Sequence, residues 1–372
     1  MRILFTFGTR PEAIKMAPVV HECLRRADEV ETIVCLTGQH REMLDQVTAY
    51  FGIQADLDLQ LMRPDQTLAS LTARCIEGID GAISRFTPNC LVAQGDTTSV
   101  MAAGLAAFYR HIPLVHVEAG LRTYDLQAPW PEELNRRVAS LVTALHCAPT
   151  ERAAQNLRDE GIPTNTIHVT GNSVIDALLW TVDRERRNSG GWAEKYPMLD
   201  GASMVLITGH RRENFGAGFQ AICQAIASLA AKFPQVIFLY PVHLNPHVQQ
   251  PVYGLLEKLE NVYLVPPATY PEFVWLMDRS TILLTDSGGV QEEAPSLKKP
   301  VLVMRETTER PEAMLAGAVE LVGTSATRIV DRVSALLTDQ AEYERHQIDN
   351  NPYGDGKAAP RIVDLMLQQH WK

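Results

Sequence analysis

The sequence alternates short, wholly apolar runs with longer stretches of helical periodicity. In the first half the runs cover residues 3–7, 32–36, 91–94 and 114–117, with a weaker run at 145–148. Stretches of helical periodicity, such as residues 11–25 and 98–109, lie between them. A strand that is apolar on both faces needs cover on both sides, which crossover helices give to parallel sheets. The pattern therefore predicts an α/β fold built on parallel strands.

The same alternation restarts in the second half, which predicts a second α/β unit. Its apolar runs cover residues 204–208, 236–240, 262–265, 282–285 and 301–304. The charged segment 183–188 and the small residues after it are typical of a surface loop near a domain boundary. We therefore expect two doubly wound domains that face each other across a cleft. Their expected boundaries are 1–170 and 171–355, with a C-terminal helix at about 356–372 that could pack on either domain, including back on the first.

Composition limits the classes of function. The net charge of −10 argues against non-specific binding to nucleic acid or to a membrane surface. The six cysteines form no CxxC pair and mostly lie in apolar runs, so we expect reduced core residues in a cytoplasmic protein. The chain has no signal-peptide pattern, and no uncharged apolar stretch reaches the roughly 18 residues that a membrane helix needs.

Carboxylates cluster at the predicted strand ends of the first half. Glu118 ends the fourth apolar run, Asp96 follows the third, and Glu132 and Glu133 lie on the next loop. Carboxylates supply proton transfer, so this cluster favours acid/base chemistry. Asp96 would also serve as a helix cap, whereas a longer Glu side chain is a poorer cap. Glu133 is expected to face solvent, and His116 to be a core or supporting residue.

Basic residues accompany these acids. Arg122, Arg136 and Arg137 flank the acidic loop, and arginines hold anionic groups well. Arg10 and Lys15 follow the first apolar run, at the start of a predicted helix whose free amides can bind anions. A well-capped surface helix would account for the same two residues. Together the acids and bases indicate acid/base chemistry on a phosphorylated substrate.

The strand ends of the second half carry histidines and arginines. His210 and Arg211 follow the run 204–208, and His243 follows the run 236–240. A histidine beside arginines is suited to clamping phosphate, although a solvated charged turn accounts for the same residues. Neither histidine belongs to an HExxH or comparable spacing, so no metal site is predicted.

A loop of small residues follows the fourth apolar run of the second half. Ser287, Gly288 and Gly289 can offer backbone amides to a diphosphate. Glu293 lies about a turn further on, where it is placed to accept hydrogen bonds from ribose hydroxyls, and Arg310 lies in the next charged stretch. The chain contains no GxGxxG fingerprint, so no tightly held nicotinamide cofactor is predicted.

Several motifs together resemble one known family. They are GTRPEAIKMAP, GQHREML, QGDTTS, HVEAGLRT, PWPEELNRR, TGNSVIDAL, TGHRREN, YPVHLNP, TDSGGVQEEAPSLKKPVLVMRETTERPE and NPYGDG, in this order from residue 1 to about 356. In these motifs the chain resembles the non-hydrolysing UDP-N-acetylglucosamine 2-epimerases of bacteria. The resemblance implies two Rossmann-like domains in the GT-B arrangement and a homodimer. It also implies interconversion of UDP-N-acetylglucosamine and UDP-N-acetylmannosamine without a cofactor, to supply envelope polysaccharide synthesis.

The resemblance also assigns expected roles to residues. The expected catalytic residues are Asp96, Glu118, Glu132 and His210. The expected substrate-binding residues are Arg10, Lys15, Phe273 at the uracil, Ser287, Gly288 and Gly289 at the diphosphate, Glu293 at the ribose, and Arg310 at a phosphate. In some members a second UDP-N-acetylglucosamine activates the enzyme, and the matching candidates are Gln39, His40, Arg211 and His243. Ala268 departs from members that have a glutamine beside the uracil, although a contact made through the backbone would survive the change.

Chemistry refines these roles. Loss of UDP from C1 of the sugar makes the C2 hydrogen acidic, and a carboxylate can then remove it. We expect Asp96 and Glu132 closest to C2, and Glu118 to handle a hydroxyl or orient the sugar. Three alternatives stay open at this stage: a hydrolysing epimerase, a GT-B glycosyltransferase and a non-catalytic nucleotide-sugar sensor.

Overall fold

The computed structural model of the protein describes residues 1–38, 41–63, 65–188, 190–369 and 371. The chain divides into two compact units. The N-terminal unit comprises Met1–Ala177 and Tyr353–Lys372, and the C-terminal unit comprises Leu178–Pro352. The chain therefore passes from one unit to the other twice, once on the way out and once on the way back.

In its described residues, the N-terminal unit is built on one sheet of seven parallel strands. The strands are β1 (Arg2–Phe7), β2 (Glu31–Leu36), β3 (Leu57–Asp58), β4 (Cys90–Gln94), β5 (Leu114–Val117), β6 (Thr143–Ala148) and β7 (Ile167–Val169). Their spatial order is β3-β2-β1-β4-β5-β6-β7, so the direction of winding reverses between β1 and β4. Doubly wound folds bind ligands beyond the carboxyl ends of the strands at such a reversal.

Helices connect these strands and cover the sheet. They are α1 (Arg10–Arg25), α2 (Arg41–Phe51), α3 (Leu68–Phe86), α4 (Thr98–Tyr109), α5 (Glu132–Val142), α6 (Glu151–Asp159) and α7 (Ser173–Arg187). Ile3, Leu4 and Phe5 of β1 are fully buried, as expected for a central strand with helices on both faces. Each such side chain stabilises the fold by roughly 1.5–3 kcal/mol.

The prediction of a surface loop at residues 183–188 is wrong, because helix α7 extends to Arg187. The boundary between the units falls earlier in the same helix, after Ala177. Asp183 and Arg187 lie on the solvated face of the helix and form an i,i+4 ion pair at 2.5 Å, whereas Glu185 between them is buried. The charge run therefore marks a mostly exposed helical turn.

The C-terminal unit repeats the doubly wound plan, with six parallel strands among the residues that the structure describes. The strands are β8 (Met204–Thr208), β9 (Ile237–Pro241), β10 (Val262–Val265), β11 (Ile282–Thr285), β12 (Val301–Val303) and β13 (Val319–Leu321). The helices are α8 (Gly190–Lys195), α9 (Ala217–Lys232), α10 (Pro246–Leu256), α11 (Tyr270–Arg279), α12 (Gly288–Glu293), α13 (Pro311–Leu315), α14 (Ala326–Thr338) and α15 (Gln340–Arg345). The order β10-β9-β8-β11-β12-β13 places the reversal between β8 and β11.

The last helix, α16 (Ala358–Gln368), returns to the N-terminal unit. Buried Asp176 of α7 accepts the first backbone N–H groups of α16, from Ala358 at 3.1 Å and Ala359 at 2.9 Å. Arg26 at the end of α1 pairs with Asp364 at 2.6 Å. Within the described residues, no helix combines the length and the apolar character that crossing a membrane requires.

Candidate active site

Asp96 lies in the turn after β4, and an arginine from α5 binds its carboxylate. Gly95 makes the turn with φ +84°. Thr97 caps α4 by accepting the Val100 N–H at 3.3 Å. Arg136 Nη2 donates to Asp96 Oδ2 at 2.6 Å. The cap is therefore Thr97, and the Asp96 side chain is engaged in an ion pair instead.

The pKa of Asp96 reports on its surroundings. Burial raises the pKa above its ordinary value of 3.8, and the Arg136 guanidinium opposes that rise. The Glu118 carboxylate raises the pKa further, Lys15 lowers it, and Glu132 raises it. Asp96, Glu118, Glu132 and Lys15 therefore share one electrostatic environment at this edge of the sheet.

Glu118, directly after β5, is held by three donors. Lys15 Nζ lies 2.5 Å from Glu118 Oε1, and Asn172 Nδ2 donates to the same oxygen at 2.9 Å. Gln94 Nε2 donates to Oε2. Glu118 is only 8% exposed and has a left-handed backbone with φ +64°, which is unfavourable for a side chain of this size. Surrounding contacts thus fix this carboxylate in one position.

Glu132 and Glu133 open helix α5 but have different environments. Glu132 is half-buried, whereas Glu133 is fully buried. Glu133 accepts the backbone N–H groups of Thr123 at 3.0 Å and Tyr124 at 3.2 Å, and it lies 3.5 Å from Arg136. The expectation that Glu133 faces solvent is therefore wrong, since this side chain anchors the acidic loop to α5.

Arg122 is a structural residue of the same region. Its side chain is fully buried, binds Glu160 through two nitrogens at 2.8 Å each, and donates to Ser140 at 2.9 Å. Arg137 lies 3.7 Å from the same glutamate. These two arginines thus pair with a protein carboxylate, in contrast to the anion-binding role expected from sequence.

A capping box places the two basic residues of α1. Thr9 caps the helix, and the buried Glu12 accepts the N–H groups of Gly8 and Thr9 at 2.8 Å each. The helix therefore begins at Arg10, and one turn later Lys15 reaches Glu118. His116 is also buried, as expected from sequence, and its Nε2 lies 2.7 Å from Gly95 O.

In the C-terminal unit, His210 follows β8 and lies beside the end of β11. Asp286 Oδ2 accepts the backbone N–H groups of His210 and Arg211, both at 2.8 Å. The His210 ring stacks on His243, which follows β9, with 5.2 Å between centroids and 18° between planes. Burial lowers the pKa of His210, the Asp286 carboxylate opposes this, and His243 and Arg211 lower it further.

The small-residue loop after β11 makes room for an arginine. A Cβ on Gly288 would lie 2.7 Å from Arg310 Nη1, so the guanidinium occupies the space beside this glycine. Arg310 Nε donates to Glu292 at 2.6 Å, and Nη1 donates to Glu309 at 2.8 Å. Ser287 directly precedes α12. The sequence therefore keeps glycine where the arginine and the loop meet.

The other predicted nucleotide-binding residues lie near the same strand ends. Glu293 is 7% exposed, and its Oε2 would lie 3.6 Å from a Cβ on Gly289. Phe273 is a half-buried residue of α11, the helix that starts shortly after Ala268. Of the activator candidates, Arg211 and His243 follow β8 and β9.

The two remaining activator candidates, Gln39 and His40, lie outside the described residues.

Several residues in contact with the predicted groups were not identified from sequence. Gln94 and Asn172 bind Glu118, and Asp286 lies beside His210. Gln94 ends β4 and Asp286 directly follows β11, so a search of the predicted strand ends that included amides and the first residue after each strand would have found these two. Asn172 follows β7, a strand that the sequence did not predict. The pairing of Arg136 with Asp96 had no such signal, because it depends on how α5 packs.

The chain is similar to known proteins over nearly its whole length. A family model described as UDP-N-acetylglucosamine 2-epimerase matches residues 22–367. The chain is 53% identical to a Yersinia pestis protein of that name over 370 residues, covering 98% of each chain. It is 51% identical to the Escherichia coli K12 protein of that name, also covering 98% of each.

A solved structure extends the likeness to three dimensions. It is the UDP-GlcNAc 2-epimerase of Neisseria meningitidis bound to UDP-GlcNAc, which is 47% identical with a TM-score of 0.92. The match covers 99% of this chain and 100% of that one. With family model, near-full-length relatives and fold in agreement, the chain belongs to the UDP-N-acetylglucosamine 2-epimerase family.

Proposed function

We propose that the protein interconverts UDP-N-acetylglucosamine and UDP-N-acetylmannosamine without hydrolysing them. UDP leaves C1 of the sugar, a carboxylate removes the C2 proton, and a 2-acetamidoglucal remains bound beside UDP. UDP then returns to C1 while a proton reaches the opposite face of C2. Leaving-group departure comes first because the C2 hydrogen has no adjacent carbonyl and becomes acidic only when positive charge develops at C1.

The observation that carries this proposal is that two carboxylates at neighbouring strand ends, Glu118 and Asp96, have different binding partners. Glu118 is saturated by three donors, one of them Lys15, and suits the role of orienting a sugar hydroxyl. Asp96 has one ion-pair partner and a pKa raised chiefly by burial, which suits proton transfer. A carboxyl group whose pKa is raised by burial, with other charged groups beside it, is typical of acid/base sites.

In this proposal Asp96 and Glu132 serve the two faces of C2. The raised pKa of Asp96 brings its protonated and ionised forms closer in free energy, so it can both accept and return a proton. Glu132 contributes to the same electrostatic environment from the first residue of α5. No cofactor or metal ion enters any step.

The strand ends of the C-terminal unit bind the nucleotide. His210, Arg310 and the loop at Ser287, Gly288 and Gly289 stabilise the leaving diphosphate, together with Arg10 of the N-terminal unit. Phe273 contacts the uracil, and Glu293 accepts hydrogen bonds from the ribose. We further propose a second UDP-N-acetylglucosamine as activator, bound by Gln39, His40, Arg211 and His243. A lag with UDP-N-acetylmannosamine alone, abolished by a trace of the epimer, is the expected kinetic sign.

Three broader expectations belong to the same proposal. The protein acts in the cytoplasm as a homodimer and supplies an N-acetylmannosamine donor for envelope polysaccharide. Six free, buried cysteines suit a reducing compartment. Sedimentation equilibrium tests the dimer, with a mass of about twice 41.3 kDa expected.

Proton NMR of the purified protein with UDP-N-acetylglucosamine in deuterated water tests the reaction. We expect UDP-N-acetylmannosamine to form without added cofactor, and deuterium to enter C2 of both nucleotide sugars. Release of free N-acetylmannosamine and UDP would instead identify a hydrolysing enzyme. Binding without turnover would favour a transferase or a sensor.

A further inference from the structure

Asp286, the first residue after β11, is a fully buried carboxylate whose two oxygens differ in their contacts. Its Oδ2 accepts the N–H groups of His210 and Arg211 at 2.8 Å and faces Asn214 Nδ2 at 3.4 Å. Its Oδ1 has no hydrogen-bond partner among the residues that the structure describes. A buried charged acceptor without a hydrogen bond costs free energy of folding. We therefore ask whether this oxygen has a role in addition to the hydrogen bonds that Oδ2 makes to the loop.

The group that faces this oxygen is the His210 imidazole. His210 Nδ1 lies 3.6 Å from Asp286 Oδ1, within ion-pair range but too long for a hydrogen bond. The His210 side chain is 45% exposed, whereas the carboxylate is fully buried. With Nδ1 on the protein side, Nε2 is the ring nitrogen left for a ligand, and a small ring rotation would close the Nδ1 contact.

Two stacked imidazolium rings would repel each other, so we expect His210 and His243 to carry one positive charge between them. The neighbouring groups favour His210 as the residue that carries it. His243 Nδ1 accepts the Asn245 N–H at 3.1 Å, so that nitrogen carries no proton. Among the described residues, one carboxylate acts on the protonation of His210: Asp286 favours the imidazolium, whereas His243 and Arg211 oppose it. The nearby Tyr240 hydroxyl is buried, donates to Gly209 O at 3.1 Å and stays neutral.

We propose that Asp286 is a positioning residue that holds the Nδ1 proton of His210, so that His210, protonated when the anionic diphosphate binds, presents Nε2–H to it. This rests on the proposed function, in which His210 contacts the leaving group. As the C1–O bond breaks, its electron pair leaves with UDP, and the imidazolium stabilises that anion through a charged hydrogen bond. His210 keeps both protons, so no proton has to be supplied to UDP.

The first test needs no turnover. In protein labelled with 15N-histidine, NMR titration should show neutral His210 as the Nδ1–H tautomer, with the signal assigned by its loss in His210→Gln. Asp286→Asn keeps an oxygen for the two backbone N–H groups but removes the charge. It should lower the His210 titration midpoint by about one pH unit, a tenfold loss of proton affinity, and switch the tautomer to Nε2–H.

Glu320→Gln is the matched control, because Glu320 lies 3.7 Å from His346 Nε2 in the same unit. It should leave the His210 midpoint unchanged. An unchanged midpoint and tautomer in Asp286→Asn would overturn the proposal, as would a wild-type His210 that already has the Nε2–H tautomer.

The second test measures whether the effect of Asp286 on the epimerisation rate depends on His210. Asp286→Asn should lower kcat roughly tenfold with little change in KM, and the alkaline limb of the pH profile should move to lower pH. In a His210→Gln background the same substitution should change kcat less than twofold. Equal losses in both backgrounds would make Asp286 a scaffold residue and overturn the proposal. If the wild type lacks epimerase activity, the proposed function fails, and the titration still decides the Asp286–His210 pairing.

Discussion

The two units present opposite chemistry on similar sheets. At the strand ends of the N-terminal unit the candidate functional groups are acids, and buried or half-buried cations bind them: Arg136 binds Asp96, and Lys15 binds Glu118. At the strand ends of the C-terminal unit the functional groups are basic, and buried acids hold them: Asp286 beside His210 and Glu292 on Arg310. Burial raises the pKa of Asp96 and lowers that of His210, and in each case the oppositely charged partner opposes the effect of burial.

This difference indicates that the two units have different roles in the proposed reaction. Carboxylates held by cations can exchange protons with a sugar, whereas cations held by carboxylates can carry the charge of a diphosphate without giving up protons. Substitutions in the two units should therefore separate chemistry from nucleotide binding.

The largest expected effect comes from Asp96→Asn. This change removes the proposed proton-transfer group while leaving an isosteric partner for Arg136, so kcat should fall roughly 10²–10⁴-fold. Deuterium incorporation at C2, followed by NMR, measures the loss. UDP affinity by calorimetry is the internal control and should stay within about twofold, since Asp96 is not among the proposed nucleotide-binding residues. Full-rate deuterium exchange in this variant would remove Asp96 from the proton-transfer step.

Arg136→Gln should have the next largest effect and a distinct pH signature. Arg136 lowers the pKa of Asp96 against the effect of burial, so its loss should raise that pKa further. The ionised form is then lost at higher pH on acidification, and the acidic limb of the kcat/KM profile should move upward. We expect kcat near neutral pH to fall about 10–100-fold. A profile with an unmoved acidic limb would show that Asp96 does not control it.

Gly288→Ala probes the basic edge of the C-terminal unit. The new Cβ would lie 2.7 Å from Arg310 Nη1, and the flexible arginine can move away more easily than the backbone. We expect UDP to bind about tenfold more weakly, while the melting temperature changes by no more than a few degrees. Gly191→Ala is a suitable control, since a Cβ there has no atom within 4 Å. Equal UDP affinity in both variants would argue against Arg310 as a phosphate contact.

The smallest expected effect concerns stability and Asp176, whose carboxylate accepts two backbone N–H groups. Burial raises the pKa of Asp176 to about 6, although the Ala359 and Ala358 N–H groups oppose this. The pKa of Asp176 in the folded protein exceeds its unfolded value of about 3.9. The stabilisation that protonated Asp176 contributes to the free energy of unfolding is therefore fully present below about pH 3.9. It is lost as pH rises through about 6.

Asp176→Asn should therefore remove about 2 kcal/mol of pH dependence from the urea-unfolding free energy between pH 4 and 7. Asp364→Asn, at an exposed ion pair of the same helix, is the control and should leave that dependence in place. An identical pH profile in wild type and Asp176→Asn would show that this carboxyl titrates normally.

Sequence was sufficient for the α/β plan because central strands of parallel sheets are continuous apolar runs. Strands β3, β7 and β13 were not predicted, and all three lie at sheet edges. An edge strand is covered on one side only, so it is shorter and mixed in composition. β7, for example, reads Ile-His-Val, with Val169 46% exposed.

The candidate site also contains residues that could be predicted from sequence and residues that could not. Asp96, Glu118 and His210 were found because strand ends can be read along the chain. Their partners could not all be found, because Arg136 and Asn172 reach their carboxylates across 40 and 54 residues of sequence. Charge counting likewise cannot tell Glu132 from Glu133, since helix packing alone buries one of two adjacent acids.

The return of residues 353–372 to the N-terminal unit has a consequence for biosynthesis. Asp176 can cap α16 only after all of the C-terminal unit has been made, so the first unit waits on a segment synthesised after the second. We therefore expect the N-terminal sheet to stay incompletely covered on the ribosome, and the C-terminal unit to be the first able to finish folding. A chain stalled before residue 353 would expose the surface of α1 that α16 normally covers, a clear mark for quality control.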